Sequence, residues 1–389
     1  TLRLLAVILF LSPFPWWRNH FPRLSFKETT YFRIDFMKRY LGSLLLLIAL
    51  SACTSSIKGL PVQHPEEALP SDDPQHRIHL QVCYLGAGGF LLRCRDSALL
   101  TAPFFSNPSL KRLALWRISP NHPQIDRRMA LLRDSLDPVG AILVGHAHYD
   151  HLMDLPYIST AYTPAAAIFG SKTMAHILAP ALPPKRLIPL NSQIGQWQSA
   201  GDDRIRFMAL KSDHAPHFMG VKVFGGKYDR DLEKLPTRAS GWREGQTFAY
   251  LIDFLGEDKK TVEFRIHYQD AVSSFPPPYP AHLSGPEARR VDIALLCVPG
   301  FDQVDDYPET LLHQLNPRTV VLAHWENLFA PFPEDSRDLR TVPATNVKRF
   351  LERLEAALPA DADYWMPAPG AWLSLPPNPS PESASPLQN

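Results

Sequence analysis

The chain has 389 residues, 45% of them apolar and 20% charged, enough to bury a substantial core. Forty basic residues against 39 acidic ones leave a net charge of +1, which gives no electrostatic footprint for nucleic acid or for an anionic membrane surface. Thirty-nine prolines favour a loop-rich globular protein over a helical bundle, and four cysteines in so long a chain do not make a disulfide scaffold.

Residues 1–36 precede the first methionine, Met37, and read as an upstream, non-mature segment. From Met37 to Ala52 a basic start (Lys38, Arg39) leads into the apolar run Leu44–Leu50 and then small residues, the layout of a secretory signal peptide too short to span a bilayer comfortably. Leu50-Ser51-Ala52-Cys53 resembles the bacterial lipobox, which implies lipidation of Cys53 and a lipid-anchored protein of the bacterial cell envelope, with Thr54 favouring the outer membrane facing the periplasm. Residues 53–75 are polar, proline-containing and aperiodic, as a flexible tether is. Residues 376–389 have the composition of a disordered tail.

Between them, residues 76–375 read as one α/β domain. Ile78–Leu85 and Phe90–Arg95 flank Gly86-Ala87-Gly88-Gly89 as a β-hairpin, followed by a strand at Ala98–Ala102. Helical composition marks Pro123–Asp134 and Ser171–Ile177. Strands are expected at Ala141–Val144, Arg204–Leu210, Thr247–Phe254, Val262–Tyr268, Ile293–Val298 and Thr319–Ala323. Val347, Phe350, Leu351 and Leu354 recur at helical spacing within Asn346–Ala357. Cys83 and Cys94 flank the hairpin, and their pairing across it stays open. Cys297, inside an apolar strand, reads as core rather than catalyst.

The chemistry concentrates in Gly145-His146-Ala147-His148-Tyr149-Asp150-His151, directly after the strand Ala141–Val144. Three imidazoles and a carboxylate within six residues cannot all be buried without partners, and a metal ion is the natural common partner for neutral imidazole and carboxylate oxygen. In an extended turn His146 and His148 point the same way and can share one ion, with Asp150 and His151 reaching a neighbouring site after the chain bends.

The pattern H-x-H-x-D-H after a hydrophobic strand resembles the signature of the metallo-β-lactamase superfamily, an αββα sandwich. The later ligands of that family can be sought in order, at strand ends: His214 after Met208–Leu210, Asp270 after Phe264–Tyr268, and His324 after Thr319–Ala323. The resemblance implies His146, His148 and His214 on one ion, Asp150, His151 and His324 on a second, and Asp270 bridging both. His217, three residues beyond His214, is the rival for its place. Two divalent ions, zinc foremost, would activate a shared water as hydroxide, with Asp270 holding the ions apart and Asp150 orienting the nucleophile. Two departures stand out: Ala102-Pro103 where the family commonly has Asp-Pro, and Gln269-Asp270 where it has Gly-Asp. His148 in place of Glu argues against the di-iron oxidoreductase branch.

The order of motifs resembles the branch containing N-acyl-phosphatidylethanolamine phospholipase D, which implies a phosphodiester, phospholipid-like substrate. The alternatives are hydrolysis of lactones, β-lactams or carboxylic esters, and a metal-binding envelope lipoprotein without turnover. The expected partners are thus a small-molecule or lipid substrate and, through the N-terminal lipid, a membrane. No nucleic acid is expected. Phe104, Phe105, Tyr149, Phe218, Trp242, Phe248 and Trp325 are aromatic pocket candidates, with ordinary core packing as the competing reading.

Overall fold

A computed structural model describes residues 54–65, 78–201, 203–217, 220–283 and 289–377. Its strands, in chain order, are β1 Val62–Gln63, β2 Leu80–Gly86, β3 Gly89–Cys94, β4 Ser97–Thr101, β5 Val139–Leu143, β6 Ala167–Gly170, β7 Leu187–Pro189, β8 Trp197–Ala200, β9 Ile205–Lys211, β10 Phe248–Leu255, β11 Val262–Gln269, β12 Ile293–Cys297, β13 Thr319–Ala323, β14 Asp363–Pro367 and β15 Trp372–Leu375. The α-helices are α1 Leu110–Leu115, α2 His122–Ala130, α3 Tyr149–Leu152, α4 Leu155–Ala161, α5 Lys172–Leu178, α6 Glu309–Leu315 and α7 Val347–Ala357.

The strands form two mixed sheets. One runs β15-β2-β3-β4-β5-β6-β7 and the other β1-β14-β13-β12-β11-β10-β9-β8. In each, an antiparallel meander turns into parallel strands: β4 to β7 in the first, β11 to β14 and β1 in the second. Side-chain alternation sets the layers. Val82 and Tyr84 of β2, Phe90 and Leu92 of β3, and Ala141 and Leu143 of β5 meet Phe248, Tyr250, Ile252 and Phe254 of β10 in the core between the sheets. The intervening residues Cys83, Leu85, Leu91 and Ile142 face the other way, into a second core beneath Ile125, Met129, Ile158, Met174 and Ile177 of the helices. Ala249 and Leu251 of β10 likewise join Met208 and Leu210 of β9 in a small outer cluster.

This alternation settles the cysteines. Cys83 lies in the helix-covered core and Cys94 in the core between the sheets, so the two point to opposite faces and both are free thiols. Cys297 is buried in the strand core, as expected.

The expectation of a flexible tether over 53–75 needs correction for residues 54–65. Ser55 N–H donates to Thr341 Oγ1 (3.1 Å) and Ser55 O accepts from Thr341 N–H (3.0 Å). Ser56 bridges Arg340, Ile57 is buried in the core, and β1 adds a parallel edge to β14. A two-residue strand carries no readable period, so polarity alone misassigned it. Cys53, the 1–36 and 37–52 segments, residues 66–75 of the tether and residues 378–389 of the tail lie outside the described residues. Among the described residues no helix is long and apolar enough to cross a membrane.

One core histidine gives the fold a pH signature. His267 of β11 is fully buried, with Nδ1 2.9 Å from Tyr279 Oη and Nε2 3.3 Å from Gln269 Oε1. Burial pushes its imidazole down to about 4 from the ordinary 6.5. The unfolded chain takes up this proton from about pH 6.5 downward, whereas the folded protein does so only near 4. Acid therefore favours unfolding, and this group's contribution to stability is complete above pH 6.5 and lost as pH falls toward 4. Across that window it amounts to on the order of 3 kcal/mol. Urea melts of His267→Gln should show a flatter rise of stability between pH 4.5 and 7 than the parent; an unchanged slope would contradict this assignment.

Candidate metal centre

β9, β11 and β13 run in the same direction, so residues just past their carboxyl ends emerge on one edge of the second sheet. His214 follows β9, Asp270 is the residue after β11, and His324 the residue after β13. The first sheet supplies the remainder from the loop between β5 and α3. That loop is tied to the opposite sheet: Phe248 N–H donates to Gly145 O (2.8 Å), and Ala147 N–H donates to Glu244 O (2.9 Å). His148 caps α3 in an extended conformation (φ −67°, ψ 162°), so Asp150 and His151 enter the first turn of α3 facing the same cleft.

Donor atoms converge in three groups, each within 4.8 Å: His146, His148 and His214; Asp150, His151 and His324; and His146, His151 and Asp270. Every ligand expected from the sequence is in one of these groups, and Asp270 shares its group with a histidine of each of the others. His324 Nε2 lies 3.2 Å from Asp150 Oδ2, His146 Nδ1 3.1 Å from Asp270 Oδ1, and His151 Nδ1 3.4 Å from Asp270 Oδ2.

The donor set fits divalent cations. His148 Nε2, both ring nitrogens of His151 and His324 Nδ1 are buried without a hydrogen-bond partner, a cost that folded proteins rarely bear unless a ligand offsets it. Burial, followed by the neighbouring imidazoles, drives His146 and His148 well below their ordinary range, and burial brings His214 to about 4. These rings are therefore neutral, the form in which imidazole ligates. Burial also works to raise Asp150, but His151 and His324 overcome it and hold this carboxyl well below its usual value. Burial pushes Asp270 up. For His324, burial pulls downward and the Asp150 hydrogen bond and charge prevail, so its pKa is raised.

Contacts at the ring nitrogens separate His214 from His217. His214 Nδ1 lies 2.7 Å from Ala215 O, a contact that requires a proton on Nδ1 and leaves the Nε2 lone pair free for a cation. His217 Nδ1 instead accepts a hydrogen bond from Val223 N–H (3.3 Å), which puts its proton on Nε2. Of the two, His214 keeps a free Nε2 lone pair, and it is His214 that joins His146 and His148 in a donor group.

Surrounding groups hold the ligands in place. Gly145 N–H donates to Asp270 Oδ2 (3.0 Å), and Tyr268 Oη, which donates to Gly88 O (2.8 Å), lies 3.3 Å from the same carboxylate oxygen. His324 has a left-handed backbone (φ 64°), unusual for a non-glycine residue. Its N–H donates to Tyr84 Oη (2.7 Å), Tyr84 donates to Glu326, and the Glu326 carboxylate accepts from Ala87 N–H (2.7 Å). Nothing in the sequence marks Glu326 as buried, since an acid three residues past a strand end reads as surface. Asp154 supports the loop that follows Ala102, accepting from Phe105 N–H, Ser106 N–H and Ser106 Oγ at 2.5–2.9 Å. Phe104, Phe105, Tyr149, Trp242, Phe248 and Trp325 are all buried core residues, and Phe218 lies outside the described residues.

Residues 100–262 match the family model of the beta-lactamase superfamily domain. With two mixed sheets face to face and a histidine–aspartate centre at the strand ends, the architecture is settled. The chain has the metallo-β-lactamase fold. Igni18, a metallo hydrolase from Ignicoccus hospitalis, is 15% identical over 76% of this chain and 98% of its own, with a TM-score of 0.44. The metallo-β-lactamase fold protein YhfI from Bacillus subtilis is 12% identical over 76% of this chain and 99% of its own, with a TM-score of 0.44. CmlA, a diiron β-hydroxylase from Streptomyces venezuelae, is 11% identical over 77% of this chain and 54% of its own, with a TM-score of 0.40.

Proposed function

We propose that this metallo-β-lactamase-fold protein is a binuclear metal-dependent hydrolase of phosphodiesters, with a phospholipid-like substrate. The observation that carries the hydrolytic reading is the convergence of the three donor groups around shared residues, His146 and His151. Bound divalent ions, zinc foremost, would lower the pKa of a water toward neutrality and polarise the scissile group. His146, His148 and His214 would hold one ion and Asp150, His151 and His324 the other, with Asp270 between them. Asp150, already held ionised, would orient the attacking water, and the Gly145 N–H keeps Asp270 from rotating out of the cleft.

Charge favours an anionic substrate. Two carboxylates, Asp150 and Asp270, against two bound dications would leave a net positive centre. The rim favours an amphiphile: Lys222 is flanked by exposed Val221 and Val223, and it pairs with Asp213, which also accepts from Ser274 next to exposed Phe275. Lipidation of Cys53, within a bacterial envelope signal, fits the same reading, because Ser55 is fastened to Thr341 and Thr341 bridges Glu326, beside the ligand His324.

The test is a screen of zinc-loaded and chelator-stripped protein against a bis-aryl phosphodiester, a lactone and a β-lactam. Turnover of the phosphodiester in the loaded protein alone is expected. Preferential opening of the lactone or β-lactam would move the substrate class, and full activity after stripping would end the metal-dependent reading.

A further inference from the structure

One histidine at the centre is left over once the ligands are assigned. The His217 ring stacks on His214 (centroids 4.5 Å apart, planes at 18°) and lies 5.4 Å from the ring of His148, yet the residue is exposed at the rim. Its position is fixed from several sides. Its backbone N–H donates to Val221 O (2.9 Å), and Val223 N–H donates back to its Nδ1 (3.3 Å). Lys222, between those two valines, reaches Asp213 (2.8 Å) and Glu244 (3.3 Å), which fastens the returning strand of the loop.

The Val223 contact decides what the ring can do. A lone pair at Nδ1 means a neutral imidazole with its only proton on Nε2, so the edge not used by the loop is a donor and cannot ligate a cation. No partner for that Nε2–H is found among the described residues. The neighbouring His214 is the opposite tautomer, its Nε2 lone pair free. The chain thus sets side by side one imidazole that accepts and one that donates.

We propose that His217 is a substrate-contacting hydrogen-bond donor, its Nε2–H binding a non-bridging oxygen of an anionic phosphoryl group held at the metal centre. This rests on the phosphodiester reading of the same centre and deepens it. A hydrogen bond to a charged oxygen is usually worth about tenfold or more in affinity. The donor would select oxyanions over neutral carbonyl substrates, which offer the Nε2–H a weaker acceptor.

Three readouts test it on the full zinc-loaded protein with inorganic phosphate as the probe. Long-range proton–nitrogen spectra of ¹⁵N-histidine-labelled protein should show His217 as the Nε2–H tautomer and His214 as Nδ1–H. His217→Phe keeps the stacking ring but no donor; it should retain the parent's zinc content and bind phosphate at least about tenfold more weakly by calorimetry. His217→Gln, whose amide N–H can stand near the Nε2 position, should recover most of that affinity. Loss of zinc from His217→Phe would make the residue a ligand, and equal loss of phosphate binding in His217→Gln would make its role structural; either overturns the proposal. So would an unchanged phosphate affinity in His217→Phe, an Nδ1–H tautomer, or a parent protein that binds no phosphate. None of these readouts needs turnover, so a protein that binds phosphate through His217 yet hydrolyses no diester would sink the hydrolase reading alone.

Discussion

Asp270→Asn is expected to drop bound zinc from two equivalents to one or fewer and to slow hydrolysis by more than about a thousandfold. The carboxylate stands between the two histidine groups, 3.1 Å from His146 Nδ1 and 3.4 Å from His151 Nδ1, and it is essentially inaccessible to water. The amide conserves shape and can still accept from Gly145 N–H, so the fold should survive. What it removes is the negative charge that offsets two dications in a buried site, and its NH₂ would turn a donor toward one of them. Metal analysis of the purified variant, together with its rate on the screening phosphodiester, checks this. Two retained equivalents with near-parental turnover would remove Asp270 from the centre.

Gly145→Ala should be nearly as damaging, although it alters no ligand. A Cβ at this position would lie 2.1 Å from Asp270 Oδ1 and 2.4 Å from its carboxyl carbon, distances that real contacts do not permit. Either Asp270 or the loop bearing His146 and His148 must shift. Overpacking of this kind typically costs 1–3 kcal/mol, roughly, and displacing a reacting group by about 1 Å can cost about a hundredfold in rate. Gly225→Ala is the matched control, because nothing lies within 4 Å of its would-be Cβ. The expected result is a lower melting temperature and weakened zinc binding in Gly145→Ala, with Gly225→Ala close to the parent. Equal behaviour of the two variants would mean that the loop accommodates the methyl group without moving Asp270.

The parts of this architecture that could be read beforehand are those in which a long period meets a chemical signal. Alternation in Phe248–Leu255 and Val262–Gln269 places large residues on one face, and the packed core uses that face. Helix α7 shows its apolar stripe at Val347, Phe350, Leu351 and Leu354, and buries those four. The convergence of the candidate donors was equally accessible, since the histidine motif fixes one end of the cleft and His214, Asp270 and His324 each follow an apolar strand. Short or compositionally mixed elements were not. β14 reads Asp-Tyr-Trp-Met-Pro with only two residues buried, β7 has three residues, and α1 buries none of its own. α3 carries Asp150 and His151 of the histidine motif, polar residues whose burial masks any helical stripe. The choice between His214 and His217 was beyond the sequence because it turns on which ring nitrogen meets a carbonyl and which meets an N–H. The buried Glu326 behind His324 was equally hidden, its partners Tyr84 and Ala87 lying some 240 residues away in the chain.

The most direct measurement is the metal content of the purified protein after zinc loading and removal of excess, by elemental analysis against protein concentration. The account requires two equivalents in the parent, and fewer when His214 or His324 is replaced by alanine. A parent protein that holds no tightly bound metal, or one whose content is unmoved by either substitution, would contradict the binuclear centre on which the function is argued.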